Sequence, residues 1–144
     1  MYLIVNNEKV RAKFITFAGG EEHVQLCLED WTGDGVTAER IVAYGYLKSS
    51  QDVMRFCNMV NAGMEHFNYP HLILNIPYVP YARQDRVCAL GQAHGIDVFT
   101  GILTSLQADE IIVSDIHSEM SKNSVSYGAG TLTEIPQSRL FLDY

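Results

Sequence analysis

The chain has 144 residues, of which 47% are hydrophobic and 19% charged, enough for one domain with a real core and too apolar for global disorder. Ten Lys and Arg against 17 Asp and Glu leave a net charge of −7, which speaks against non-specific binding to nucleic acid or to an anionic membrane. The longest apolar runs are about six residues, far short of a membrane span, and no basic leader precedes a long apolar stretch at the N-terminus, so no secretory signal is expected.

Tyr2–Val5 and Val10–Phe17 are apolar, β-branched runs that read as a β-hairpin about Asn6-Asn7-Glu8-Lys9. After the break at Gly19-Gly20, Glu22–Leu28 alternates Val24, Leu26 and Leu28 against His23, Gln25 and Cys27, the pattern of a half-buried strand. A turn at Thr32-Gly33-Asp34-Gly35 leads to a strand over Arg40–Leu47. Ser49-Ser50-Gln51-Asp52 supplies an N-cap with an acid in the first turn, and Val53, Phe56, Cys57, Val60, Met64 and Phe67 recur at helical spacing. Asn68-Tyr69-Pro70 ends that helix. His71–Ile76 is a short, nearly continuous apolar run, as expected of a strand covered on both faces.

Beyond a long loop, Ile96–Leu106 has helical spacing and Glu110–Asp115 reads as a second buried strand. Glu119–Gly130, rich in Ser, Gly and Asn, reads as a flexible loop, and Arg139–Asp143 as a short final strand. Helix, strand, helix and strand in succession from residue 49 to 115 predict an α/β domain with at least two neighbouring parallel strands. Cys27, Cys57 and Cys88 are odd in number and form no C-x-x-C pair, which fits reduced thiols in a cytoplasmic protein. No two of the five histidines have the spacing of a helical zinc site.

In open α/β sheets, ligands sit outside the carboxyl ends of the parallel strands. Two loops leave such ends. In the first, Pro77 and Pro80 stiffen the chain ahead of Arg83-Gln84-Asp85-Arg86. The arginines are planar, permanent cations suited to phosphate oxygens, and Gln84 and Asp85 add groups to read a base or to hold an arginine. Locally, the same residues also read as a solvated loop with an internal Arg–Asp salt bridge. In the second loop, Asp115 and His117 lie two apart and suit a shared hard cation such as Mg²⁺, completed by phosphate and water. His117 equally suits a phosphate or a ribose, and a surface histidine beside an acidic turn accounts for the same pattern. Phe17-Ala18-Gly19-Gly20-Glu21 offers a stacking ring with a carboxylate beside it, or an ordinary hairpin turn.

The run Ile76-Pro77-Tyr78-Val79-Pro80-Tyr81-Ala82-Arg83-Gln84-Asp85-Arg86 closely resembles the I-P-Y-x-x-Y-A-R-Q-D-R signature of ribose-phosphate pyrophosphokinases, the phosphoribosyl-pyrophosphate synthetases. Asp115-Ile116-His117-Ser118 is similar to the family's D-x-H-A/S motif, and Phe17-x-Gly19-Gly20-Glu21-x-x-Val24 to its F-x-D-G-E-x-x-V. Glu134-Ile135-Pro136 looks like its D-I-P, and residues 87–91 with Val98-Phe99 resemble divergent, phage-type members.

The resemblance implies a phosphoribosyltransferase-like α/β domain with a parallel sheet and an N-terminal β-hairpin. It implies ATP binding by Arg83, Gln84, Asp85 and Arg86. Asp115 and His117 would belong to the Mg²⁺–ATP site, His117 near the phosphates as the catalytic residue. Phe17 and Glu21 would reach the adenine of an ATP held by a neighbouring copy, so a homo-oligomer is implied. The family passes the β,γ-diphosphoryl group of ATP to the 1-hydroxyl of ribose 5-phosphate.

The chain departs from this pattern at several places. Gly19 stands where the family has an acid, Gln92 and Asp97 lie where it has an acid and a lysine, and Ser138 replaces a second acid after D-I-P. The segment from His117 to Glu134 is longer than in the family. Nothing in residues 1–144 matches the family's D-D loop for the 5-phosphate, so the C-terminal domain is read as absent and the chain as the N-terminal, ATP-side domain.

Overall fold

The computed structural model of the chain describes residues 1–33, 37–127, 130–136 and 138. Strand β1 (Tyr2–Val5) turns into β2 (Glu8–Val10) through Asn6 and Asn7. Their φ values of 46° and 74° are the left-handed pair that a tight two-residue hairpin needs. The single strand expected over residues 10–17 is divided at Arg11. Val10 stays in β2, fully buried, while β3 (Ala12–Thr16) pairs with β4 (Glu22–Leu26) in a separate two-stranded sheet. The division has a tertiary cause: this second hairpin lies against α1 (Ser50–His66) and buries Val24 and Leu26 there, out of reach of a strand continued from β2.

Helix α1 begins where its capping residues place it. Ser49 Oγ accepts from the Asp52 amide at 3.1 Å, and Asp52 Oδ2 accepts from the Lys48 amide and from Ser49 Oγ, both at 3.0 Å. Strands β5 (Arg40–Tyr44), β6 (His71–Ile76), β7 (Glu110–Ser114) and β8 (Thr131–Ile135) run parallel, joined by α1, α2 (Gly95–Ser105) and α3 (Glu119–Tyr127). With β1 and β2 they form one sheet in the order β2-β1-β5-β6-β7-β8. Two expectations are corrected here. The segment expected as a flexible loop over 119–130 holds α3, and Thr131–Ile135 is a strand that the motif Glu134-Ile135-Pro136 concealed. The strand expected over 139–143 lies outside the described residues.

One face of the sheet carries the core. Leu3, Ile41, Leu74 and Ile111 are fully buried there, together with Phe56 and Met59 of α1 and Phe99 and Leu103 of α2. Gly63 permits the closest approach, since a Cβ on it would stand 2.6 Å from Leu3 Cδ1. On the other face Tyr2, Ile4, Val42, Tyr44 and Ile112 are only half-buried. Tyr2 and Tyr44 stack there at 5.0 Å, with Lys9 Nζ 4.1 Å from the Tyr2 ring centre. No helix of the described residues is long and apolar enough to cross a membrane.

The β3–β4 hairpin is pinned to α1 through Glu22, whose side chain is only 6% exposed. Its carboxylate accepts from Gln51 Nε2 and Arg55 Nε at 2.6 Å each and from Thr16 Oγ1 at 2.7 Å. Those bonds, Gln51's foremost, hold its pKa at about 2, well below the ordinary 4.5. Because the folded value is depressed, this lock is complete above the ordinary value and is lost as pH falls from 4.5 towards 2. Glu22→Gln is therefore expected to melt at a lower temperature at neutral pH and to lose less stability than the parent across that acidic window. Melting curves collected through the window check this, and parallel losses in the two proteins would exclude Glu22 as the titrating group.

Candidate functional site

Ile76 and Val113 are register partners in neighbouring parallel strands, so the loops after β6 and β7 leave the same edge of the sheet. The first loop is anchored before it turns polar. Val79, Pro80 and Ala82 are buried. Tyr81, in the left-handed region at φ 63°, sets its ring 6.0 Å from that of Phe99 and its hydroxyl 2.7 Å from Ser50 Oγ. That backbone conformation is costly for a tyrosine, and the two side-chain contacts hold it in place.

From this anchor the chain sends Arg83, Gln84 and Arg86 outward and Asp85 inward. Arg83, Gln84 and Arg86 line a cleft of about 360 Å³ with Cys88, Gln92 and Ala93. Asp85 is 3% exposed. One carboxylate oxygen accepts from Ser118 Oγ at 2.6 Å and the other from Arg86 Nε at 3.4 Å, and these partners, Ser118 first, hold the carboxyl below its usual range. Asp85 thus joins the arginine loop to the loop after β7. The Gln84 side chain lies over Gly95 at the start of α2, where a Cβ would come within 2.1 Å of Gln84 Oε1.

In the second loop Asp115 also takes a positive φ, 38°, and both Asp115 and His117 are exposed. The loop is held from β8: Glu134 Oε1 accepts from the Ile116 amide at 2.9 Å and Glu134 Oε2 from Lys122 Nζ at 2.8 Å. Lys122, and then the Ile116 amide, keep the Glu134 carboxyl below its ordinary value. Among the described residues no three His, Cys, Asp or Glu side chains gather as a metal cage. Asp115 and His117 fit the sparser set that Mg²⁺ accepts, in which phosphate oxygens and water complete an octahedron.

Phe17 and Glu21 stand apart from both loops. They lie on the β3–β4 turn, closed by hydrogen bonds from the Phe17 amide to the Glu21 carbonyl and from the Gly20 amide to the Phe17 carbonyl, both 2.9 Å. Gly20 has φ 91°, the left-handed backbone that glycine supplies. Phe17 is 53% exposed. Glu21 borders a separate cleft of about 630 Å³ beside Ser50, Gln51 and Asn58 of α1.

No protein-family model and no curated protein matches the chain. Among solved structures, a phosphoribosylpyrophosphate synthetase from Mycobacterium smegmatis superposes with a TM-score of 0.70 at 21% identity, over 94% of this chain and 43% of that one. The chain has a phosphoribosylpyrophosphate synthetase-like fold. It spans less than half the length of that synthetase.

Sequence reasoning passed over the residues that join the two loops of this fold. Ser118, Ser121 and Ser124 recur every third residue at the start of α3, along one helix face. Ser118 Oγ donates to Asp85 and accepts from the Ser121 amide at 3.1 Å, capping the helix. Ser121 Oγ donates to the Ala82 carbonyl at 2.7 Å, and Ser124 Oγ to Asp97 Oδ1 at 2.9 Å. The threefold spacing was the available signal. Ser121 is fully buried, so Ser121→Ala leaves a carbonyl unpaired and is expected to cost about 1–2 kcal/mol. Urea unfolding of the variant measures this, and an unchanged midpoint would remove Ser121 from the set of tethers.

Proposed function

We propose that the chain binds Mg²⁺–ATP at the carboxyl edge of β6 and β7, as the ATP-side part of a ribose-phosphate diphosphokinase. The observation that carries this reading is the convergence there of the 83–86 and 115–118 loops, joined through Asp85 and Ser118. Arg83 and Arg86 offer fixed positive charge to the phosphates, and Gln84 adds an amide at the rim of the same cleft. Asp85 orients Arg86. Asp115 and His117 would hold Mg²⁺ with phosphate oxygens, and the ion would neutralise the charge that spreads during diphosphoryl transfer. In that role His117 faces the phosphates.

The acceptor in this reading is the 1-hydroxyl of ribose 5-phosphate, and the products are phosphoribosyl pyrophosphate and AMP. Phe17 and Glu21, exposed on their own hairpin, would serve an ATP held by a neighbouring copy in a homo-oligomer. Calorimetry with Mg²⁺–ATP tests the proposal: a saturable heat supports it, and no heat at millimolar nucleotide overturns it. Incubation of the 144-residue chain with ATP and ribose 5-phosphate is expected to release little AMP, because no residue here matches a 5-phosphate cradle.

A second reading, a non-catalytic homologue that associates with complete synthetase subunits, is favoured by Asp97. It stands where a lysine is expected and is engaged by His94 and Ser124. Co-elution with a full-length synthetase supports that reading, and separate elution with unaltered turnover removes it.

A further inference from the structure

His94 occupies the N-cap of α2, immediately behind the arginine loop. Its Nδ1 is hydrogen-bonded to Asp97 Oδ2, and the other oxygen of Asp97 is held by Ser124 of α3. Its Nε2 is sealed from solvent without a partner at full hydrogen-bond geometry, and the Asp85 backbone carbonyl faces the ring. Oxygen acceptors therefore stand on both sides of one imidazole.

A neutral imidazole carries one N–H and one lone pair. With the proton on Nδ1, the buried Nε2 lone pair meets the Asp85 carbonyl. With the proton on Nε2, the Nδ1 lone pair meets the Asp97 carboxylate. Only the imidazolium donates in both directions. Its positive charge at a helix N-terminus is unfavourable, and Asp97 in the first turn offsets it. We propose that His94 is a positioning residue for the 83–86 loop, whose imidazolium ties the Asp85 backbone to Asp97 and α3 and whose neutral form lets the loop go. The consequence for nucleotide affinity rests on the function proposed above, whereas the loop-holding itself does not.

The direction of control follows from the surroundings. The Asp85 carbonyl first, then Asp97, raise the affinity of His94 for its proton, and the Asp85 charge adds to this. Asp97 on α2 and Asp85 on the β6 loop are the charged groups acting on the ring among the described residues, while α3 contributes the neutral Ser124. The tie is thus present at acidic pH and is lost as pH rises through a midpoint above the ordinary 6.5.

NMR titration of the ligand-free protein tests the proposal by following the His94 ring and the backbone amides of Gln84, Asp85 and Arg86 together. A ring midpoint above 6.5, with the three amides shifting at that same midpoint, is the expected result. Asp97→Asn is expected to lower both midpoints together, and His94→Gln to remove the amide transition while the circular dichroism stays native. Loop amides that ignore the His94 midpoint in both the parent and Asp97→Asn would overturn the proposal, even if His94→Gln fails to fold. Mg²⁺–ATP affinity over the same pH range gives a second reading. It is expected to weaken ~10-fold more in the parent than in His94→Gln, about one pKa unit of linkage, and the comparison cancels the titration of ATP and of His117. Absence of ATP binding by the parent would refute the proposed function and leave the amide titration to decide the role of His94.

Discussion

Replacing Arg83 and Arg86 together with alanine is expected to weaken Mg²⁺–ATP binding at least ~100-fold while leaving the melting temperature nearly unchanged. A hydrogen bond from a charged group contributes roughly 1.5–3 kcal/mol, which is about tenfold to a hundredfold in affinity for each arginine. Neither side chain contributes to the core: both are exposed, Arg86 at 72% of its side chain. Asp85 loses one partner in this variant but keeps Ser118, so the loop stays tied to α3. Calorimetry on parent and variant at matched pH and salt decides the matter. Equal heats would remove the 83–86 loop from the site, and a large fall in melting temperature would show that the arginines serve the fold instead.

The largest stability loss is expected from Phe56→Ala. Phe56 is fully buried at the centre of the helical layer, and its ring lies so close to Gly45 that a Cβ there would come within 2.5 Å of it. Gly45 in turn donates its amide to the Asn75 carbonyl at 3.0 Å, extending the β5–β6 pairing towards the ligand edge. Removing the ring takes away the apolar transfer energy and leaves a cavity that a sheet on one side and a helix on the other cannot close. The expected cost is about 3–5 kcal/mol, a large share of the roughly 5–15 kcal/mol that holds a domain together. Urea unfolding with an unchanged m-value measures it. A loss below about 1 kcal/mol would mean that the site collapses easily and that Phe56 is no keystone of the layer.

The strands and helices whose burial is dictated by their own side chains were legible in the sequence. β6 runs over His71–Ile76 as the unbroken apolar run requires, and α1 starts after Ser49, where the hydroxyl and Asp52 cap it. Elements whose place depends on distant partners were hidden. Residues 10–17 look like one strand because their composition is uniform, yet Val10 and the β3–β4 hairpin belong to different packing environments on either side of Arg11. α3 was masked by its serines, which compete with helical hydrogen bonding in isolation; here they spend their hydroxyls on the Asp85, Ala82 and Asp97 acceptors instead. Thr131–Ile135 has too few large apolar side chains to announce a strand, and it forms by pairing along the whole length of β7.

The candidate site divides in the same way. Arg83, Gln84 and Arg86 were legible as a group because two prolines and a run of polar residues are contiguous in the chain. That Asp85 turns inward to Ser118, and that His94 lies behind it, depends on α2 and α3 meeting across the sheet edge. The pairing of His94 with Asp97 was in principle readable as an i, i+3 contact at a helix start. The Asp85 carbonyl on its other side was not.

The three serines of α3 have a thermodynamic consequence. One rigid helix grips the arginine loop at two points and the start of α2 at a third, while its own first residue continues the Asp115–His117 loop. Free energy spent on shifting one loop is therefore registered at the other. Occupancy of either loop changes the affinity of its neighbour by one and the same factor, whichever is filled first. Two ligands bound there would act as heterotropic effectors of each other with no subunit rotation and no domain closure, the helix itself serving as the coupling element.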